Sequence, residues 1–284
     1  MTRMIRNIAI AMMCTTASAP AVAQIPFAGD RPQSFAFYDV KPGESYDTVG
    51  QYVQFSNDGH TFVGLTQPLH RGKTESGLNW FITGVLPEIS LQQPGFAVSG
   101  LGDPLVGGGM FLNPDAATNV GFLALVQVPV GSANLSTHTW SVWPSVFYDS
   151  WFGKVNVDGH VGAIIRQTEY GNGNNVNPGN TVHANLRAGY SLLDLTWKDA
   201  WYPIPYVALD YQKTGKTIGN NGADPLGTQV PGPDSNETAL GVGVLFQLKQ
   251  KKFYDQFTVH YSRSMSGKHT TLTNGLLMQY FHYW

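Results

Sequence analysis

The chain has 284 residues, of which 42% are hydrophobic, 12% aromatic and 13% charged, and glycine and proline together supply about a sixth of it. So many helix breakers exclude a long helical protein, so many aromatics exclude a disordered one, and a formal net charge of −2 gives no basic footprint for nucleic acid. What remains is a large, aromatic, loop-rich β protein.

In chain order, Arg3 and Arg6 precede a short apolar core, Ile8 to Cys14, and small residues ending in Ala21-Val22-Ala23. This order predicts a secretory signal peptide over residues 1–23. The single cysteine, Cys14, lies inside it, so the mature chain is read as free of disulfides and thiolate chemistry. Residues 24–47 are read as an N-terminal arm, periplasmic or lumenal, in which Ser34–Tyr38 forms either an extra strand or an interfacial stretch.

Beyond the arm the sequence alternates with period two, the mark of strands with two different faces. In 181–192, Val182, Ala184, Leu186, Ala188, Tyr190 and Leu192 share one face, while His183, Asn185 and Arg187 share the other. Segment 154–166 sets Val155, Val157, Val161, Ala163 and Ile165 against Asn156, Asp158, His160 and Arg166. Residues 238–249 set Leu240, Val242, Val244, Phe246 and Leu248 against Ala239, Gly241, Gly243 and Gln247. These runs exceed the ~5–6 residues of a soluble sandwich strand and match the ~9–11 that cross a bilayer in a barrel.

The predicted fold class is therefore all-β: an antiparallel transmembrane β-barrel of about twelve strands, over residues 48–284. A hairpin around Asn57-Asp58-Gly59 is followed by strands at 77–88, 100–112, 119–130, 138–149, 154–168, 181–193, 200–213, 237–249, 253–265 and 271–284. The 68–76 connection is long for a periplasmic turn. Gly171–Asn175 and Gly219–Gly222 suit flexible external loops. Trp140, Trp151, Trp201 and Tyr202 are read as girdle residues. The aromatic end Tyr280-Phe-His-Tyr-Trp284 is read as the signal presented to the outer-membrane assembly machinery.

With the apolar face on lipid, the opposite face lines a lumen. The predicted substrate path comprises Asp103, Trp143, Phe147, Asp158, His160, Arg166, His183, Arg187, Tyr206, Asp210 and His260. Arg187 and Asp210 are placed to meet across neighbouring strands. His160 and His183 are placed to face each other, more often an arrangement of wall residues than a metal site. His260 and Ser262 share a face but sit on one strand, and no Gly-x-Ser-x-Gly, phosphate loop or calcium loop occurs. The expectation is a bacterial outer-membrane channel for passive uptake of small hydrophobic or aromatic solutes, with membrane lipid as its surroundings and no catalytic residue, cofactor, metal or nucleic-acid partner. A closed structural or adhesive barrel and a lipid-modifying enzyme are the alternatives.

Gly100-Leu-Gly-Asp-Pro104 at a strand start, Gln127-Val-Pro-Val-Gly131 at a strand end, Trp143-Pro144, His183–Tyr190 and Pro205–Asp210 follow one another in that order. This sequence of elements resembles the outer-membrane barrel family named for the MetA pathway of phenol degradation, over roughly residues 75–284. Members often carry Gly-x-Gly-Asp and Pro-x-Gly-x-Tyr; here Pro129-Val-Gly-Ser-Ala133 lacks the tyrosine. The resemblance implies an outer-membrane channel or transporter, often associated with aromatic or poorly soluble compounds, and implies no catalytic residue.

Overall fold

A computed structural model describes residues 45–56, 61–93, 96–132, 135–136, 139–171, 174–177, 179–194, 201–216, 218–220, 234–249, 254–269 and 274–283. The signal peptide, the stretch at 34–38 and Trp284 lie outside the described residues. The strands are β1 (Ser45–Ser56), β2 (Thr61–Lys73), β3 (Asn79–Gln93), β4 (Phe96–Leu101), β5 (Leu105–Asp115), β6 (Thr118–Gln127), β7 (Ser141–Phe152) and β8 (Val155–Arg166). They continue as β9 (Glu169–Gly171), β10 (Asn174–Asn177), β11 (Thr181–Tyr190), β12 (Trp201–Thr214), β13 (Ile218–Asn220), β14 (Ser235–Lys249), β15 (Tyr254–Lys268) and β16 (Asn274–Tyr283).

Twelve of these strands form a closed antiparallel ring. Neighbours in sequence pair throughout, from β2–β3 and β3–β5 to β15–β16, and β1 closes the ring by pairing with both β2 and β16. Closure leaves no open edge within the ring, the condition for a sheet to sit in lipid, and β4 adds a thirteenth strand paired with β3 alone. Among the described residues no helix is long and apolar enough to cross a membrane; strands do the crossing.

The outer face is apolar by the alternation itself. Val182, Leu186, Val207, Leu209, Leu240, Val242 and Val161 are all between 46% and 55% exposed, while their neighbours on the other face are buried or half-buried. Leu186, Leu209 and Leu240 stand in register across β11, β12 and β14, forming a row of leucines around the outside. On β12 the outward set runs from Trp201 to Tyr211. Ten residues of rise at ~3.3 Å, tilted by about 40°, give a band of about 25 Å, the height of an outer-membrane barrel's apolar belt. Leu248, expected outside, is 9% exposed, at a strand end opposite Trp201.

Four local readings are corrected. β1 and β2 run to Ser56 and Lys73, so the expected 68–76 connection is strand followed by a tight turn. In that turn Thr74 N donates to Leu78 O and Gly77 sits at φ 90°, a value glycine tolerates without cost. The strand expected at 100–112 is broken at Gly102-Asp103-Pro104, where proline removes a ladder donor; β4 pairs with the far end of β3 and β5 with its near end. Trp140 and Trp201 are exposed girdle residues, but Trp151 and Tyr202 are buried, because each lies on the inner phase of its strand beside Asp149 and Ile204. Finally, the long loops are joined: β9, β10 and β13 form a small antiparallel sheet that links the β8–β11 connection to the β12–β14 connection.

Candidate functional site: a two-toned barrel interior

The inner wall divides into two sectors. From β2 through β8 it carries an apolar cluster set among buried polar residues such as Gln67, Arg71, Thr83 and Ser145: Val63, Leu65 and Leu69 on β2 and Phe81 and Val85 on β3 begin it. Leu105 and Phe111, Leu123 and Leu125, Trp143 and Phe147, and Ile164 extend it across β5 to β8, and Phe281 of β16 joins it. Phe81, Phe111 and Phe147 form a run of tilted rings with centroids 6.5 and 6.2 Å apart. Room for Phe147 comes from Gly121, where a Cβ would lie 2.5 Å from its Cζ. Trp143 keeps its indole N–H satisfied by donating to Ser141 Oγ at 2.7 Å.

From β8 through β15 the wall is mainly polar, around a smaller apolar cluster of Ile204, Tyr206, Ala208 and Leu245. Arg187 Nε donates to Asp158 Oδ2 at 2.6 Å, and both side chains are about 5% exposed or less. The Arg187 guanidinium carbon stands 4.8 Å from the centroid of the Tyr206 ring, a cation–π contact. Tyr206 in turn stacks on His260, with centroids 5.6 Å apart and Tyr206 Oη 3.1 Å from His260 Nδ1. This ring pair lies across the backbone of Gly243 and Gly241, where added Cβ atoms would come within 2.5 Å of Tyr206 and 2.1 Å of His260. His160 and His183 meet edge to face at 5.3 Å, with His183 over Gly162.

The predicted residues are placed as follows. Asp158, His160, His183, Arg187, Tyr206 and His260 come together in the polar sector, and Trp143 and Phe147 belong to the apolar one. Arg187 is not paired with Asp210 as expected: the register sets Arg187 opposite Asp158 on one side and Ala208 on the other. Asp210 sits opposite Asn185, whose amide donates to it. Arg166 stands at the end of β8, donating from Nη1 to Gly179 O at 2.8 Å and Thr181 Oγ1 at 2.7 Å, and so fastens the chain entering β11. Asp103 is wall rather than lumen: its carboxylate accepts the Gly131 N–H at 2.9 Å and the Gln127 amide at 3.3 Å. The motif segments around Gly102 and Pro129 therefore pack on each other, and a Cβ at Gly131 would lie 2.7 Å from the Gly102 backbone.

Two features escaped the sequence reading. One is the apolar inner sector. Its signal was present in Val120-Gly-Phe-Leu-Ala-Leu-Val126, where alternation fails because both faces are apolar. The other is a polar stitch along one end of the wall, from Asn79 to Asn113, Asn113 to Asn119, Asn119 to Asp149 and Asn156 to Asp149, joining five strands. The interior is tightly shielded: His183, Gln256 and Leu125 are at most 1% exposed. Among the described residues no group of three or more histidine, cysteine or carboxylate side chains is placed to hold a metal.

A search of curated proteins found no match. Among solved structures, the β domain of the Bordetella autotransporter BrkA is 11% identical with a TM-score of 0.46, over 85% of this chain and 99% of that one. The transport unit of the autotransporter AIDA-I from Escherichia coli is 11% identical at 0.42, over 93% and 97%. The outer-membrane protein OmpT of Vibrio cholerae, without its loop L8, is 9% identical at 0.41, over 85% and 98%. The outer-membrane placement rests on the chain's own physics, a closed barrel with an apolar belt. A family model matches residues 43–280, and the chain belongs to the family described as "Putative MetA-pathway of phenol degradation".

Proposed function

We propose that this outer-membrane barrel passes small, hydrophobic or aromatic solutes passively, without a cofactor. The observation that carries this reading is the division of the inner wall into an apolar sector, Val63 to Ile164, and a polar one, Asp158 to His260. A solute with an aromatic body and a polar group would keep its body on the phenylalanine and leucine side and its polar group on the other, so neither part is stranded. A porin for hydrated ions has no use for a wall of leucine and phenylalanine. The family description, which names phenol degradation, supports an aromatic solute.

Flux through proteoliposomes tests this. Vesicles containing the barrel are expected to release tyrosol, an aromatic alcohol, several-fold faster than empty vesicles, while sucrose stays inside. Equal release of tyrosol with and without the protein would contradict the reading and favour a structural or adhesive barrel.

A further inference from the structure

We propose that the inner wall carries a subsite for a neutral hydroxyl or carbonyl group on the passing solute, formed by Gln247 and Thr258. This rests on the conduit reading above and specifies its solute. Gln247 on β14 and Thr258 on β15 are 1% and 2% exposed. Among the described residues, neither the amide nitrogen and oxygen of Gln247 nor the hydroxyl of Thr258 has a hydrogen-bond partner. Buried amides and hydroxyls are normally paired, so three orphaned atoms together on adjacent strands mark a place where something else supplies the partner.

The surroundings define what that is. Gln247 is in register with Tyr202 and Gln256, and Thr258 with Leu245 and Gln279. All of these partners are uncharged. Asp255, next along β15, is turned to the outer phase, where its carboxylate accepts from Tyr280 Oη at 2.7 Å and lies 2.7 Å from His282 Nδ1. The residues in register with the subsite therefore supply donors and acceptors but no charge to offset an ion. Its near neighbours on the same face are apolar: Leu245, Ile204 and Tyr206 form one packed cluster. A neutral group able both to donate and to accept, attached to an apolar ring, satisfies Gln247 and Thr258 at once. A hydrocarbon leaves them orphaned, and a carboxylate loses its hydration without gaining a counter-charge.

Ligand-observed fluorine NMR on the full barrel in detergent micelles tests the subsite with three probes of one size at neutral pH: 4-fluorophenol, 4-fluorotoluene and 4-fluorobenzoate. Protein-free micelles correct for partitioning. The expected result is saturable binding of 4-fluorophenol, about tenfold tighter than either other probe. Gln247→Met and Thr258→Val keep the side-chain size and should erase that preference, with folding checked by heat-modifiable migration on gels. If 4-fluorophenol binds no tighter than 4-fluorotoluene, water alone fills the subsite and the proposal falls. Preference unchanged in both variants places the recognition elsewhere and also overturns it. Tyrosol flux in the same preparation reports on the conduit separately, so a barrel that conducts without discriminating loses the subsite alone.

Discussion

Replacing Arg187 with methionine is expected to destabilise the barrel by about 3–5 kcal/mol, because it leaves the Asp158 carboxylate buried without its counter-charge. The pair is enclosed on the inner wall, with Nε 2.6 Å from Oδ2, and the same guanidinium covers the Tyr206 ring. Removing it therefore strips a charge partner and a ring contact together. The double replacement Arg187→Met with Asp158→Leu should recover much of the loss, since it removes the stranded charge along with its partner. Urea-driven unfolding in liposomes measures both. A single replacement that costs less than about 1 kcal/mol, the worth of an exposed pair, would show that water reaches Asp158 and that the wall is not closed there.

The second large effect is on the opposite face. Leu209→Arg places a charge in the row formed by Leu186, Leu209 and Leu240. A guanidinium on the lipid face near mid-membrane costs about 2–4 kcal/mol, falling toward zero near the interfaces. Lys213, exposed on the same phase of β12 and four residues nearer the external end, marks where the chain itself tolerates a cation. Arginine at Leu209 should lower stability in bilayers, measured by the same urea titration, whereas arginine at position 211 should cost less. Equal and negligible costs at both sites would mean that this face meets water.

The residues legible in advance are those whose environment differs between the two faces of one strand. In β11 the polar residues Thr181, His183, Asn185 and Arg187 recur at every second position, so Val182 and Leu186 fall outside and His183 and Arg187 inside without knowledge of any neighbour. Phase alone does not choose partners. Arg187 had a carboxylate on the adjoining strand to either side, and the registers of β8 and β12 decided for Asp158 over Asp210. Phase also fails where both faces are apolar, as in β6, which hid the leucine and phenylalanine side of the interior. It fails again where an aromatic could serve either face: Trp201 and Tyr202 are adjacent, and one is exposed while the other is 4% exposed inside. The small sheet of β9, β10 and β13 could not be read locally at all, since Asn175 finds Asn220 across an intervening hairpin of the barrel.

Throughout the ring the apolar phase meets lipid and the other phase lines an enclosed interior. Single cysteines placed in a background without Cys14 test it directly. Bimane at positions 182, 186 and 242 should be quenched by brominated acyl chains, whereas label at 210 and 212, half-buried on the inner phase of β12, should not. The reverse pattern, or quenching by aqueous iodide at 182, 186 and 242, would contradict it.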